Sequence, residues 1–170
     1  MNRDERRVVE RFSIPGVAAI IEHTMDGQRH ILIQQRVKDD APSERGLLEI
    51  PAGKTREFED IFLCLRREVL EETGLIVTAI EGQEQTTRVR QHEYTVIGFE
   101  PFYVSQNLSG TYPIMVLTFI CQAEGTLKYK SQESEDLRWC PLETLRRDLS
   151  DHPERFYPMH VASLTKYLSQ

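Results

Sequence analysis

The chain has 170 residues, 39% hydrophobic and 28% charged, which suits a single soluble domain large enough to bury a core. A formal net charge of −6 and a pI near 5.4 argue against broad binding to nucleic acid or anionic membranes, and no run of 18 apolar residues offers a membrane span. The charged start MNRDERRVVERF lacks the apolar stretch of a secretory signal, and Cys64, Cys121 and Cys140 are odd in number and far apart within apolar sequence. They read as reduced, buried thiols of a cytoplasmic protein.

Residues 1–12 read as an arm or short helix. An apolar run at 15–21, the turn pair Asp26-Gly27 and a second run at 30–35 predict a β-hairpin. Residues 37–44 form a polar loop, and 46–50 a short strand that stops at Pro51, which has no N–H for a ladder. After a loop at 52–58, a helix is expected over 60–73, with Asp60 at its start and Gly74 where the chain must turn left-handed. Phe62, Leu65 and Val69 make one apolar stripe of that helix and Leu63 with Leu70 a second, which predicts burial on two sides with a glutamate face left at a cleft. A strand at 76–80 precedes a polar loop over 81–93. Two long strands, 94–104 and 112–122, flank the turn SQNLSG. A polar stretch at 128–135 leads to a short strand at 137–140, halted by Pro141. Helices are expected over 142–149 and 154–168, the latter with Phe156, Met159, Val161, Leu164 and Leu168 as core residues. With no repeat, low-complexity tract or Pro/Gly/Ser-rich linker, the chain reads as one mixed α/β domain over 1–170, with a core at about 14–150 and a C-terminal helix at about 154–168.

The stretch 53–75, GKTREFEDIFLCLRREVLEETGL, carries the chemistry. At about 100° per residue, Glu68, Glu71 and Glu72 share an arc of roughly 100° on the helix. Glu68 and Glu72 are a like-charge i,i+4 pair, and all three lie near the helix end that prefers cations. A solvated face would alternate Glu with Lys. Carboxylates crowded in this way suit a hard divalent cation, which takes several oxygen ligands.

Written as a pattern, with U a bulky aliphatic, the stretch is G-x5-E-x7-R-E-U-x-E-E-x-G-U. Gly53, Glu59, Arg67, Glu68, Val69, Glu71, Glu72, Gly74 and Leu75 fill the nine constrained positions. This resembles the signature of the Nudix hydrolases, which cleave nucleoside diphosphates linked to another group. The resemblance extends over roughly 14–150, taking in LEIPAG at 48–53 and the segment 133–142. It implies an α/β/α sandwich, an α+β arrangement of a mixed, curved sheet between helices, with the signature as a strand-loop-helix. It also implies a reaction in which water, activated by Mg²⁺ or Mn²⁺ and a carboxylate, attacks a diphosphate. The physical need is plain: cations neutralise the diphosphate and acidify water, and a nearby carboxylate takes the proton.

By the same resemblance, Glu68 and Glu72 are the first-choice metal ligands. Glu71 is a further ligand or the base, and a backbone carbonyl of Ala52 or Gly53 supplies another oxygen. Arg67 pairs with carboxylates, Glu59 among them, and holds the loop to the helix, as a fixed guanidinium fork can. Gly53, Glu59 and Gly74 are the structural positions of the signature. A distal-loop glutamate completes the set of Glu71, Glu72 and Arg67: Glu133, six residues before Trp139, ahead of Glu135. Phe58 stands where the family has glycine, so the loop there is expected to turn differently. Trp139 reads as core. Phe102, Tyr103 and Tyr112 read as packing residues or base-stacking ones. Of the five histidines, His92 alone invites a test.

The form LEIPAG is similar to that of the branch acting on ADP-ribose and nucleotide sugars. Two features depart from that branch: about a dozen residues precede Pro15, and Arg90 and Gln91 stand where a proline is expected. The expected partner is thus a small nucleoside diphosphate derivative, with a nucleoside triphosphate or modified nucleotide as the alternative; no nucleic acid or membrane is involved, and a homodimer is compatible with an edge at 94–122. A non-catalytic nucleotide-binding domain is the competing class, though such domains lose signature glutamates that this chain keeps. The ligand spacing of an EF-hand is absent.

Overall fold

The computed structural model describes residues 10–37, 41–110 and 112–170; of the expected N-terminal arm, residues 1–9 lie outside this set and 10–13 have no regular structure. Strands β1 (Ile14–Met25) and β2 (Gln28–Arg36) form the expected hairpin. Its turn places Asp26 at φ 50° and Gly27 at φ 74°, the left-handed pair that matches the twist of a two-residue hairpin. Next come β3 (Leu48–Glu49), β4 (Ala52–Lys54), helix α1 (Ile61–Thr73) and β5 (Ile76–Ile80). After them run β6 (Thr87–Gln91), β7 (Tyr94–Gly98), β8 (Tyr103–Gln106), β9 (Ile114–Glu124) and β10 (Ser134–Pro141). Helices α2 (Leu142–Asp151) and α3 (Pro158–Leu168) close the chain.

β1 organises the sheet. It lies parallel to β9 from Ile14↔Ile114 to Glu22↔Gln122, antiparallel to β4 at its start and antiparallel to β2 at its end. The path is β10-β2-β1-β9-β5, with β3 on β2 and β8 on β9. Alternate residues of β1 feed two cores, as the period-2 geometry of a strand requires. Val17, Ala19 and Ile21 pack with α1, while Ala18 and Ile20 pack with α2 and α3. The result is the α/β/α sandwich read from the sequence.

α1 begins at Asp60, whose side chain accepts from the Phe62 N–H at 2.9 Å, and ends at Gly74 at φ 80°, whose N–H caps the Leu70 carbonyl. It is buried on one side, not two. Phe62, Leu65 and Val69 are buried, but Leu63 is 62% and Leu70 48% exposed, because a single sheet face covers the helix.

Three further expectations are corrected. The loop expected at 81–93 contains β6, which pairs with β7 in a separate hairpin turned at His92, φ 53°. All five β6 residues are exposed, so no apolar alternation marks the strand. The single long strand expected at 94–104 is two, interrupted around Pro101, and its halves join different sheets. The last helix starts at Pro158 rather than 154. Residues 153–155 make a 3-10 turn, and Phe156 runs beside Leu48 with the Tyr157 N–H bonded to the Leu48 carbonyl at 2.8 Å. Pro158 then opens the helix at a position that needs no N–H partner. Phe156, Met159, Leu164 and Leu168 are buried as expected, with Val161 half-buried against them.

Candidate active site

β4 brings backbone against α1. The bonds Ala19 N–H to Pro51 O (2.8 Å) and Thr55 N–H to Pro15 O (3.0 Å) lie two residues either side of the Val17↔Gly53 pair. By the alternation of an antiparallel ladder, Gly53 turns its own N–H and carbonyl to β1, and Ala52 turns the other way. The Ala52 N–H accordingly donates to Glu72 Oε2 at 3.1 Å. Of the two carbonyls expected as oxygen donors, Ala52's therefore lies on the helix side and Gly53's is taken by the sheet. Gly53 matters for its missing side chain: a Cβ there would lie 1.9 Å from Glu68 Cδ and 2.2 and 2.3 Å from its two oxygens. The Glu68 carboxylate rests in a cradle that only glycine leaves open.

Arg67 ties the loop to the helix. Its Nε and Nη2 grip the two oxygens of Glu59 at 2.7 and 2.9 Å, and Nη1 reaches Glu68 at 2.6 Å and Glu71 at 3.3 Å. Nη2 also donates to the Lys54 carbonyl at 3.3 Å. The Arg67 hydrogen bonds hold the Glu59 carboxyl at about 2, and Glu59 in turn raises the Arg67 guanidinium. For Glu68, burial pushes the carboxyl up, Arg67 opposes this, and Glu71 and Glu133 add to the rise. Phe58 stands at φ 58°, in the left-handed region that favours glycine, with its ring 98% exposed.

Glu68, Glu71 and Glu133 line one cleft of about 870 Å³, whose walls also carry Lys54, Arg56 and Tyr112. Glu133 arrives from the segment before β10. That segment is moored to the C-terminus of α1 by the Lys128 N–H to Thr73 O bond (2.8 Å) and by Lys128 Nζ on the Leu70 and Glu71 carbonyls at 3.1 and 3.2 Å. A cation on the last carbonyls of a helix is favoured by the dipole. Glu72 is 4% exposed and lies beneath the rim that Glu68 and Glu71 form. Among the described residues no three His, Cys, Asp or Glu side chains already converge as ligands of one ion, since Arg67 draws Glu68 and Glu71 to itself. The donors at hand are nonetheless all oxygens, gathered on a glycine cradle, and such a set suits a hard divalent cation. Glu135 pairs within β10 against Gln35, away from this wall.

Several other expected residues play structural parts. Cys64, Cys121 and Cys140 are buried, and burial pushes the Cys64 and Cys121 thiols up to about 12. Trp139 packs against His23 (ring centroids 4.8 Å) and Phe102 against Tyr167 (6.3 Å). Tyr103 lies half-buried on β8. His92 lies at the tip of the β6–β7 hairpin. Tyr112 does face the cleft, with Lys54 Nζ 4.9 Å from its ring centre. Sequence reasoning passed over Gln34 and His160. His160, 0% exposed, lines the cleft floor and accepts the Ile50 N–H on Nδ1 at 3.3 Å. Nothing in its spacing flags it, but Gln34 continues the alternation of Leu32 and so was readable as inward-facing.

A family profile described as NUDIX domain matches residues 14–160. No curated protein matches the chain. Among solved structures, the NUDIX domain of Shewanella oneidensis NrtR in complex with ADP ribose superposes with a TM-score of 0.59 at 16% identity, covering 86% of this chain and 87% of that one. MutT from Aliivibrio salmonicida and Vibrio cholerae gives a TM-score of 0.59 at 18% identity, with 92% and 97% covered. A Caenorhabditis elegans Ap4A hydrolase gives 0.54 at 16%, with 92% and 96% covered. At these identities the likeness is one of fold.

Proposed function

The chain belongs to the Nudix family, and from that premise we propose that it hydrolyses a phosphoanhydride bond of a nucleoside diphosphate linked to a second moiety, with ADP-ribose or a nucleotide sugar as substrate. The observation that carries this reading is the meeting of Glu68, Glu71 and Glu133 with Lys54 and Arg56 in one cleft. Carboxylates alone would repel a diphosphate, and cations alone would bind it without offering a base.

Mg²⁺ or Mn²⁺ would be held by Glu68, Glu72, Glu71 and the Ala52 carbonyl, and when bound it neutralises phosphate charge and acidifies water. The chain's own groups supply the rest. Lys54 and Arg56 draw the diphosphate along the rim. Glu71, 53% exposed, and Glu133 are the carboxylates that solvent reaches, and one of them takes the proton from the attacking water. Arg67 keeps the loop and Glu68 in register. Tyr112 offers a ring face to the organic part of the substrate. The form LEIPAG supports the ADP-sugar class, as it did at the level of sequence. The buried thiols support a cytoplasmic setting.

The test is a panel of ADP-ribose, nucleotide sugars and nucleoside triphosphates with Mg²⁺, read by product identification. Nucleoside monophosphate plus a sugar phosphate is the expected outcome. Intact ADP-ribose and nucleotide sugars beside a cleaved triphosphate would overturn the substrate class. Glu72→Gln should lower kcat by about 100-fold or more while retaining the fold; an unchanged rate would overturn the site.

A further inference from the structure

Gln34 is 0% exposed on β2 and belongs to no motif. Its side-chain amide lies between two buried carboxylates from different elements, donating from Nε2 to Glu72 Oε2 at 2.8 Å and to Glu49 Oε1 at 3.4 Å. Both neighbours are acceptors, so the nitrogen of the amide is the atom that must face them. Glu49 is held from its other side by Arg36 Nη1 at 3.1 Å, and Arg36 Nε is held by Glu44 at 2.8 Å. Glu72 Oε2 also receives the Ala52 N–H. Two donors from β2 and β4 thus meet on one oxygen of the α1 carboxylate.

The Oε1 atom of Gln34 is buried with no hydrogen-bond partner among the described residues. Such an atom carries a desolvation cost, which a methionine or leucine filling the same space would avoid. What those residues lack is a donor between Glu49, 2% exposed, and Glu72, 4% exposed. Without it, two neighbouring carboxylates would repel, and Glu72 would lose the amide anchor that β2 supplies to its orientation.

We propose that Gln34 is a positioning residue for the cation site: its amide holds the Glu72 carboxylate in the orientation from which a hard divalent cation is bound. The proposal rests on Glu72 serving as a ligand, as read above. It is tested first by Mn²⁺ binding, followed by electron paramagnetic resonance, on wild type and Gln34→Met. The variant should bind Mn²⁺ about 10- to 100-fold more weakly, the range seen when a group behind a metal ligand is removed. At saturating Mn²⁺, the KM for the nucleotide should stay within about twofold, whereas kcat falls. A merely structural role would lower the melting temperature and leave Mn²⁺ affinity alone, and that outcome overturns the proposal. Should Gln34→Met not fold, wild type uniformly labelled with ¹⁵N provides the measurement. The Gln34 amide signal should shift during a Mg²⁺ titration with the same midpoint as the Ala52 backbone amide; a Gln34 signal indifferent to Mg²⁺ overturns the assignment. Wild type that binds no Mn²⁺ overturns this proposal and the proposed function together, whereas unchanged affinity in a folded variant overturns this one alone.

Discussion

Gly53→Ala is the most informative single change. The added Cβ would lie 1.9 Å from Glu68 Cδ, where carbon atoms in contact keep about 3.5–4 Å. A gap of roughly 1.5 Å must therefore open. β4 cannot supply it by moving towards β1, because the ladder bonds on either side, Ala19 N–H to Pro51 O at 2.8 Å and Thr55 N–H to Pro15 O at 3.0 Å, already hold the two strands at contact distance. The Glu68 carboxylate must retreat, and it leaves the geometry in which Arg67 Nη1 meets it at 2.6 Å. Misplacing a reacting group by about 1 Å costs roughly 100-fold in rate, so kcat/KM should fall by at least about that factor. Because the obstacle is the end of a flexible side chain that can swing aside, the stability cost should stay at about 1 kcal/mol, or roughly 2–4 °C in melting temperature for a chain of this size. Kinetics with Mg²⁺ and metal-free thermal melts measure the two. A double-mutant cycle isolates the cause: in a Glu68→Ala background the obstacle is gone, and Gly53→Ala should then cost almost no stability. Equal costs in both backgrounds, or full activity in the single variant, would refute the cradle.

Phe58→Gly should stabilise the protein, because a non-glycine residue at φ 58° costs about 1–2 kcal/mol and glycine's extra freedom when unfolded returns only part of it. A rise of about 1–4 °C in melting temperature with unchanged kcat is expected from differential scanning calorimetry. For the Arg67–Glu59 pair, the folded pKa of Glu59, about 2, lies below its ordinary 4.5. The stability from this pair is therefore complete above about pH 4.5 and is lost as pH falls towards 2. After allowance for solvent screening the loss is about 2 kcal/mol. Arg67→Met should lack this acid-dependent component when urea unfolding is compared at pH 6 and pH 3.

The family was legible in the linear sequence because its signals are local. Glu68, Glu71 and Glu72 share a helix face by periodicity alone, Asp60 and Gly74 mark the helix ends by their own backbone chemistry, and Gly53, Glu59 and Arg67 lie within one strand-loop-helix. The apolar runs at 15–21 and 30–35, with the Asp26-Gly27 turn between them, likewise declared a buried hairpin. What stayed illegible depends on partners distant in the chain. β6 has no apolar alternation because both its faces meet solvent, and its strand character comes from pairing with β7. Leu63 and Leu70 look like a core stripe until one sees that the sheet covers only one side of α1.

Sequence by itself thus determined that a carboxylate-bearing helix, capped at both ends, follows a glycine loop and suits a divalent cation, since short-range geometry leaves few alternatives. Only the tertiary structure decided which groups surround it. Lys128 moors the Glu133 segment to the end of α1, and Gln34 reaches Glu72 across 38 positions. The pleat of β4 turns the Ala52 N–H, rather than that of Gly53, towards the helix. Each of these is set by sheet register and by how helix meets strand, and neither is encoded in any one stretch of residues.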